Sequence, residues 1–133
     1  MKNQVKLFAL ALSVGLSVSS MSVYAGSDKT FDKAKSAVEN ASPDDWKTYA
    51  ESAQKLIKKK ANLAEAKIWI EKSISIRETA FNLEVLGDYY VKNNLPKEAV
   101  SYYVKSMNKM REETPGVNVT RIQQKILDTS KMK

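Results

Sequence analysis

The amino-acid sequence predicts an all-α fold, an α-solenoid of antiparallel helix pairs with flanking capping helices. Apolar residues recur at helical spacing in successive stretches between residues 30 and 130, and short turn sequences separate the stretches. Two helix pairs repeat with an offset of 33 to 34 residues, and small residues recur together with large ones. Such a period is typical of solenoids, in which neighbouring pairs bury each other's apolar faces. The alternative is a plain helical bundle with a chance repeat.

The first 25 residues have the composition of a secretory signal peptide. Lys2 and Lys6 form a basic start, residues 7–18 are apolar, and a small, polar stretch ends at Ala25. We expect cleavage after Ala25, where this small, polar stretch ends. The apolar run is shorter than the roughly 20 residues that a membrane span needs. A retained anchor is the alternative. Residues 26–133 then form one exported domain, periplasmic or secreted, with no stable membrane span after cleavage.

The first two helices of that domain are predicted from their apolar faces and from one start signal. Residues 30–40 form a short amphipathic helix. Ser42 followed by Pro43 indicates the next helix start, because serine caps helices and proline fits the first helical position. This second helix is expected from Pro43 to Lys59. Its apolar face carries Trp46, Tyr49, Ala50, Ala53, Leu56 and Ile57.

Four more helices follow, each with a recognisable start. Asn62, Thr79 and Asn118 are capping residues, and Pro96 suits a first helical position. The expected ranges are 62–76, 79–93, 96–111 and 118–130. The last helix has Val119, Ile122, Ile126 and Leu127 on one face.

The second repeat unit carries a family resemblance. Its first helix has Leu83, Leu86, Gly87 and Tyr90, and its second helix has Ala99, Tyr103 and Ser106, at the spacing of a tetratricopeptide unit. From about Asp44 to Met110 the chain therefore resembles two tetratricopeptide (TPR) units, of which the first is degenerate. Residues 46–74 are also similar to the C-terminal helical region of some secreted bacterial proteins without an assigned activity.

Composition excludes most catalytic chemistry. The chain has no histidine and no cysteine, which removes imidazole bases, thiol nucleophiles and the usual zinc ligands. Its four glycines are scattered, so no phosphate-binding loop is present. Asp44 and Asp45 suit a helix N-terminus better than an acid pair. We therefore expect no enzyme, no cofactor and no metal site.

Net charge predicts no nucleic-acid partner. Lys2 and Lys6 account for two of the 22 basic residues, so the remaining 20 exceed the 15 acidic residues by five. This modest excess comes without a dense basic run interleaved with aromatic residues. Weak attraction to anionic envelope polymers is still compatible with it.

The TPR resemblance implies a partner-binding groove, because such repeats bind peptides or proteins on the concave face lined by the first helix of each unit. The positions it assigns to this face are Phe81, Glu84, Val85, Asp88 and Lys92 in the second unit, with Gln54 and Lys58 in the first. Glu84 and Asp88 stand where one subclass carries a Lys and an Asn that clamp a terminal carboxylate. We therefore expect a basic, apolar-containing segment as partner. Ordinary solvated helix residues are the alternative interpretation.

Two further functions stay open. The chain could bind anionic envelope polymer or membrane through lysines at helix ends, or it could self-associate through its exposed solenoid ends. The lysines and arginine in question are Lys55, Lys58, Lys59, Lys60, Lys105, Lys109 and Arg111. Tyr89 and Tyr102 point away from the repeat's packing positions. We expect both to seal against neighbouring helices, and a partner contact by one of them is the alternative.

Overall fold

The computed structural model describes residues 29–133, which form six α-helices packed sequentially side by side without a strand. The helices are α1 (Lys29–Glu39), α2 (Trp46–Lys59), α3 (Leu63–Ile76), α4 (Ala80–Lys92), α5 (Pro96–Glu113) and α6 (Thr120–Ser130). The predicted all-α class is confirmed, and the arrangement is consistent with helical repeats. The predicted signal peptide lies outside the described residues.

The packing order follows the chain order. Each helix contacts the next one, and the most extensive contacts are within the pairs α2–α3 and α4–α5. In addition α2 contacts α4, so that the first helices of the two pairs are neighbours. This is the contact expected when successive helix pairs stack in one direction.

The predicted start of α2 is wrong by three residues. Ser42 does not cap the helix, because residues 42–45 form a turn in which the Asp45 amide donates to the Ser42 carbonyl at 3.0 Å. Pro43 takes the second position of that turn, where its fixed φ is also favoured. The cap is Asp45, whose carboxylate accepts from the Thr48 amide at 3.0 Å and from the Thr48 hydroxyl at 2.6 Å. The helix therefore begins at Trp46.

The other predicted helix boundaries agree closely with the structure. Asn62 and Thr79 cap α3 and α4 through their side chains. Helix α6 begins two residues later than predicted: Val119 is its N-cap residue, and the Asn118 side chain accepts from the Thr120 amide at 2.9 Å. Pro96 is the first residue of α5, which continues two residues beyond the predicted end at Arg111. The turn before it places Asn94 in the left-handed conformation with φ of 57°.

The core is continuous from α1 to α4 and has a second cluster between α5 and α6. The first cluster centres on fully buried alanines and aliphatic residues of the first two pairs: Ala50, Ala53, Leu56, Ala66, Ile70 and Val85. The second is built from Ala99, Tyr103 and Ile122. Leu127 was expected on the packed face of α6, yet its side chain is 55% exposed because α6 contacts α5 mainly through Ile122 and Ile126.

Candidate functional site

The acidic pair predicted for the concave face is bound by the last helix of the same chain. The Arg121 guanidinium donates two hydrogen bonds to the Glu84 carboxylate, at 2.5 and 2.7 Å. The Lys125 ammonium lies 2.8 Å from Glu84 and 2.7 Å from Asp88. A bidentate arginine pair with a shared lysine is a strong arrangement for two carboxylates. Helix α6 therefore supplies the basic, apolar-containing segment that the sequence analysis expected of a partner.

Tyr103 of α5 contacts the ionic network that Glu84, Asp88, Arg121 and Lys125 form. Its hydroxyl donates to Asp88 Oδ1 at 2.6 Å, and the Lys125 ammonium lies 5.2 Å from its ring centroid. Burial and the neighbouring Asp88 carboxylate strongly raise the pKa of Tyr103, which keeps the hydroxyl protonated as a donor. Asp88 is therefore a structural hydrogen-bond acceptor between α4, α5 and α6.

The electrostatics of the network favour its charged form. Burial alone raises the pKa of Glu84, but the hydrogen bonds from Arg121 and Lys125 outweigh burial, and the pKa lies below its ordinary value. Burial alone lowers the pKa of Lys125, but its hydrogen bonds to Asp88 and Glu84 outweigh burial, and the pKa of Lys125 lies above its ordinary value. Both groups are thus ionised near neutral pH.

An open groove exists beside this network, at the edge where α2, α4 and α6 begin and α3 and α5 end. Two cavities of about 430 and 240 Å³ adjoin there, since they share Phe81 and Glu113 as lining residues. We call this feature the Phe81 groove and define it by Trp46, Arg77, Phe81, Met110, Glu113 and Arg121.

The walls of the Phe81 groove are fixed by local contacts. Glu113, the last residue of α5, accepts from the Ala80 amide at the start of α4 at 3.1 Å. The Arg77 guanidinium lies over the Trp46 ring, 5.9 Å from its centroid. Phe81 is half-buried against the core. The groove therefore combines two partly exposed aromatic rings with the exposed charges of Arg77, Arg121 and Glu113.

The structure separates the seven predicted partner-binding residues by their location. Phe81 and Glu84 line the Phe81 groove. Gln54, Lys58 and Lys92 do not line it: Gln54 is half-buried, and both lysines are exposed farther along α2 and α4.

One predicted contact residue is not accessible. Val85 has no exposed surface, because it belongs to the core cluster shared with α2. Its side chain therefore does not line an open surface, contrary to the position that the resemblance assigned to it. Asp88 is accessible only in part, and its carboxylate is already bound by Tyr103 and Lys125.

Sequence reasoning missed five groove residues: Trp46, Arg77, Met110, Glu113 and Arg121. They lie at helix ends rather than on the inner face of a first helix, so the repeat alignment gave no signal for them. Trp46 was assigned to the core, and it is in fact half-buried. Position alone could have suggested Arg77 and Glu113, because each stands at the end of the second helix of a pair.

Three tyrosines, Tyr89, Tyr90 and Tyr102, pack against one another outside the Phe81 groove. The ring of Tyr90 stacks on Tyr102 at 5.3 Å and meets Tyr89 edge-on at 5.4 Å. The Lys105 ammonium lies 4.7 Å above the Tyr102 ring. Tyr89 and Tyr102 are both half-buried, and a partner contact by one of them stays the alternative interpretation.

The described helices carry no signal for a metal ion or a membrane span. Within residues 29–133, no group of three or more Asp or Glu side chains is placed to hold a metal ion. In the same range, every helix is too short or too polar to cross a bilayer.

Comparisons with known proteins assign no relative. No family model, curated protein or solved structure matches the chain. The TPR resemblance therefore stays a prediction from the residues that carry it.

Proposed function

We propose that the protein is an exported, TPR-like interaction module that binds a short segment of another protein in the Phe81 groove. The observation that carries this proposal is the continuity of the two cavities around Phe81, bordered by the half-buried ring of Trp46. Partly exposed aromatic rings at a groove are typical anchors of protein interfaces, since they bury much apolar area with few rotatable bonds.

The charges around the groove favour one kind of segment. Arg121 is occupied by Glu84, whereas Arg77 is exposed and contacts the Trp46 ring. A bound segment would place an apolar side chain against Phe81 and a carboxylate within reach of Arg77. The acidic pair Glu84 and Asp88 is matched within the chain, so it gives no reason for a basic partner.

A peptide selection tests this proposal. A library of random 12-residue peptides is displayed on phage and selected against the purified protein, and enriched peptides are then titrated against variants. We expect Phe81→Ala and Arg77→Glu each to weaken binding at least tenfold. The matched control is Lys72→Glu, an exposed cation of α3 outside the groove, which is expected to leave affinity unchanged. Equal affinity for all variants, or no enrichment, would contradict the proposal.

Binding of anionic polymer is the second candidate, because Lys55, Lys58, Lys59 and Lys60 are all exposed around the end of α2. Contacts of this kind are screened by salt. Retention on an anionic polysaccharide resin that disappears at high salt, and that falls on Lys58→Glu, would favour it. Groove binding through apolar contacts is expected to survive the same salt.

A further inference from the structure

A second apolar surface lies along the last two helices, between α5 and α6. Two cavities of about 530 and 450 Å³ lie along these helices. We call this surface the α5–α6 groove and define it by Val100, Val104, Met107, Ile126, Leu127 and Met132. Leu127 is 55% exposed and Val104 is 37% exposed, so no described residue covers the centre of the groove.

The two ends of the helix stack differ in this respect. At the N-terminal end, α1 packs inward through Ala34 and Phe31, whose ring stacks on Trp69 at a centroid distance of 6.2 Å. The exposed side of α1 is mostly polar, with Asp32, Lys33 and Lys35 among its residues. A polar outer face is what a terminal helix of a solenoid requires. The α5–α6 surface, by contrast, is apolar.

The helix order defines what would fill the α5–α6 groove. In each described pair the second helix packs on the first, as α3 does on α2 and α5 on α4. Helix α6 follows α5 as α4 follows α3, so it stands where the first helix of a third pair would stand. From Lys97 to Met107 the groove follows α5 for about 15 Å, at 1.5 Å per residue. That length accommodates about three turns of a helix.

The charges that line the α5–α6 groove indicate which kind of partner it would bind. Lys97 and Lys133 line the wider cavity, and no acidic residue lines either cavity. The acidic residue of α6, Asp128, accepts from Gln124 at 2.8 Å outside the lining. A second copy packed with its lysine end against this one would bring lysines against lysines without an acid to match them. A helix with acidic residues at one end would match them.

We infer that the α5–α6 groove receives an amphipathic helix of another protein, with an apolar face toward Leu127 and Val104 and acidic residues toward Lys97 and Lys133. The bound helix would complete a third antiparallel pair with α6. Recognition of an amphipathic helix by an apolar groove is a common binding mode, and its apolar anchors recur at three- and four-residue spacing. This inference does not depend on the Phe81 groove.

Two synthetic peptides test the inference. Both are 14-residue helices with the same leucine face, and they differ only in having glutamates or lysines at the flanking positions. We expect the glutamate peptide to bind the purified protein at least tenfold more tightly than the lysine peptide in fluorescence anisotropy. Leu127→Asp should weaken the affinity for the glutamate peptide at least tenfold. Ile68→Asp is the matched control, because Ile68 is 59% exposed on α3, and it should change nothing.

The other outcomes overturn the inference. Equal affinity for the two peptides, insensitivity to Leu127→Asp, or no binding would each do so. A concentration-dependent dimer in sedimentation that Leu127→Asp abolishes would assign the groove to a second copy. Flotation with phosphatidylglycerol vesicles that the same variant abolishes would assign it to a membrane surface. Phe81→Ala should leave glutamate-peptide binding intact, so failure here is distinct from failure of the Phe81 groove.

Discussion

Gly87 lies directly beneath the ring of Tyr103. A Cβ atom on residue 87 would stand 2.5 Å from Tyr103 Cε1 and 2.6 Å from Cδ1, far inside van der Waals contact. The ring cannot swing away freely, because it is 2% exposed and its hydroxyl is bonded to Asp88. The closeness of α4 and α5 therefore depends on the absence of a side chain at position 87.

Gly87→Ala is expected to destabilise the fold by about 2 kcal/mol, since overpacking a buried crossing outweighs the helix propensity gained by alanine. Gly87→Leu should lower the free energy of unfolding further, because leucine is larger than alanine. Urea denaturation of the variants measures the loss. A double-mutant cycle with Tyr103→Leu is the control. Without the ring of Tyr103, Gly87→Ala should lower the free energy of unfolding much less. An alanine variant as stable as the parent would contradict this close contact.

Asn82 is the buried polar residue on which the α3–α4 connection depends. Asn82 has no exposed surface. Its side-chain oxygen accepts from the Thr79 amide at 2.9 Å. Its side-chain nitrogen donates to the Arg77 carbonyl at 2.7 Å and to Ser73 Oγ at 3.1 Å. Asn82→Ala leaves buried backbone groups unpaired and is expected to cost about 3 kcal/mol. Asn93→Ala removes an exposed asparagine bond instead and should cost less than about 0.5 kcal/mol. Similar losses for both variants in chemical denaturation would be inconsistent with this role.

The attachment of α6 is expected to weaken in acid. The pKa of Glu84 is lower in the folded protein than in the unfolded chain, where it is about 4.3. Its contribution to stability is therefore complete above that value and is lost as the pH falls through the folded-state pKa. Amide hydrogen exchange of α6 should accelerate, relative to the intrinsic rate, over this acidic range.

Glu84→Gln should make α6 exchange faster at neutral pH and remove the part of the pH dependence that Glu84 supplies. Glu39→Gln is the control, since Glu39 forms an exposed pair with Lys35 on α1, whose side chains are 62% and 54% exposed. That variant should leave α6 unchanged. An unaltered pH profile in Glu84→Gln would mean that the network does not hold α6.

Lys60 ends α2 in the left-handed conformation, with φ of 51°. Glycine adopts this conformation without the steric cost that a Cβ imposes. Lys60→Gly is expected to raise the free energy of unfolding by about 0.5–1 kcal/mol in urea titration. Lys59→Gly, one residue earlier and still helical, should lower it by about 1 kcal/mol. The same sign for both variants would contradict the assigned helix end.

Local signals in the sequence were sufficient for most of the fold. Asn62, Thr79 and Pro96 mark helix starts through short-range chemistry, and the periodicity of apolar residues located all six helices. The start of α2 was wrong because Ser42-Pro43 satisfies a turn as well as a helix start, and only the hydrogen bonds of Asp45 distinguish the two.

The candidate site was less predictable, because its residues are far apart in the sequence. Glu84 is 37 residues from Arg121, and Ala80 is 33 residues from Glu113. A repeat alignment placed Glu84 and Asp88 on an inner face, but it could not indicate that α6 would reach them. The groove at the helix ends depends on how Trp46, Arg77 and Phe81 converge, which is a property of the packed helices.

The proposal that the protein binds a partner in the Phe81 groove is tested most directly by photo-crosslinking in the cells that produce it. Benzoylphenylalanine replaces Phe81 in one variant and Ile68, an exposed apolar residue of α3 outside the groove, in the other. Irradiation should give a discrete crosslinked product of higher mass from position 81 and none from position 68. Products from both positions, or from neither, would contradict the assignment of the groove as the binding site.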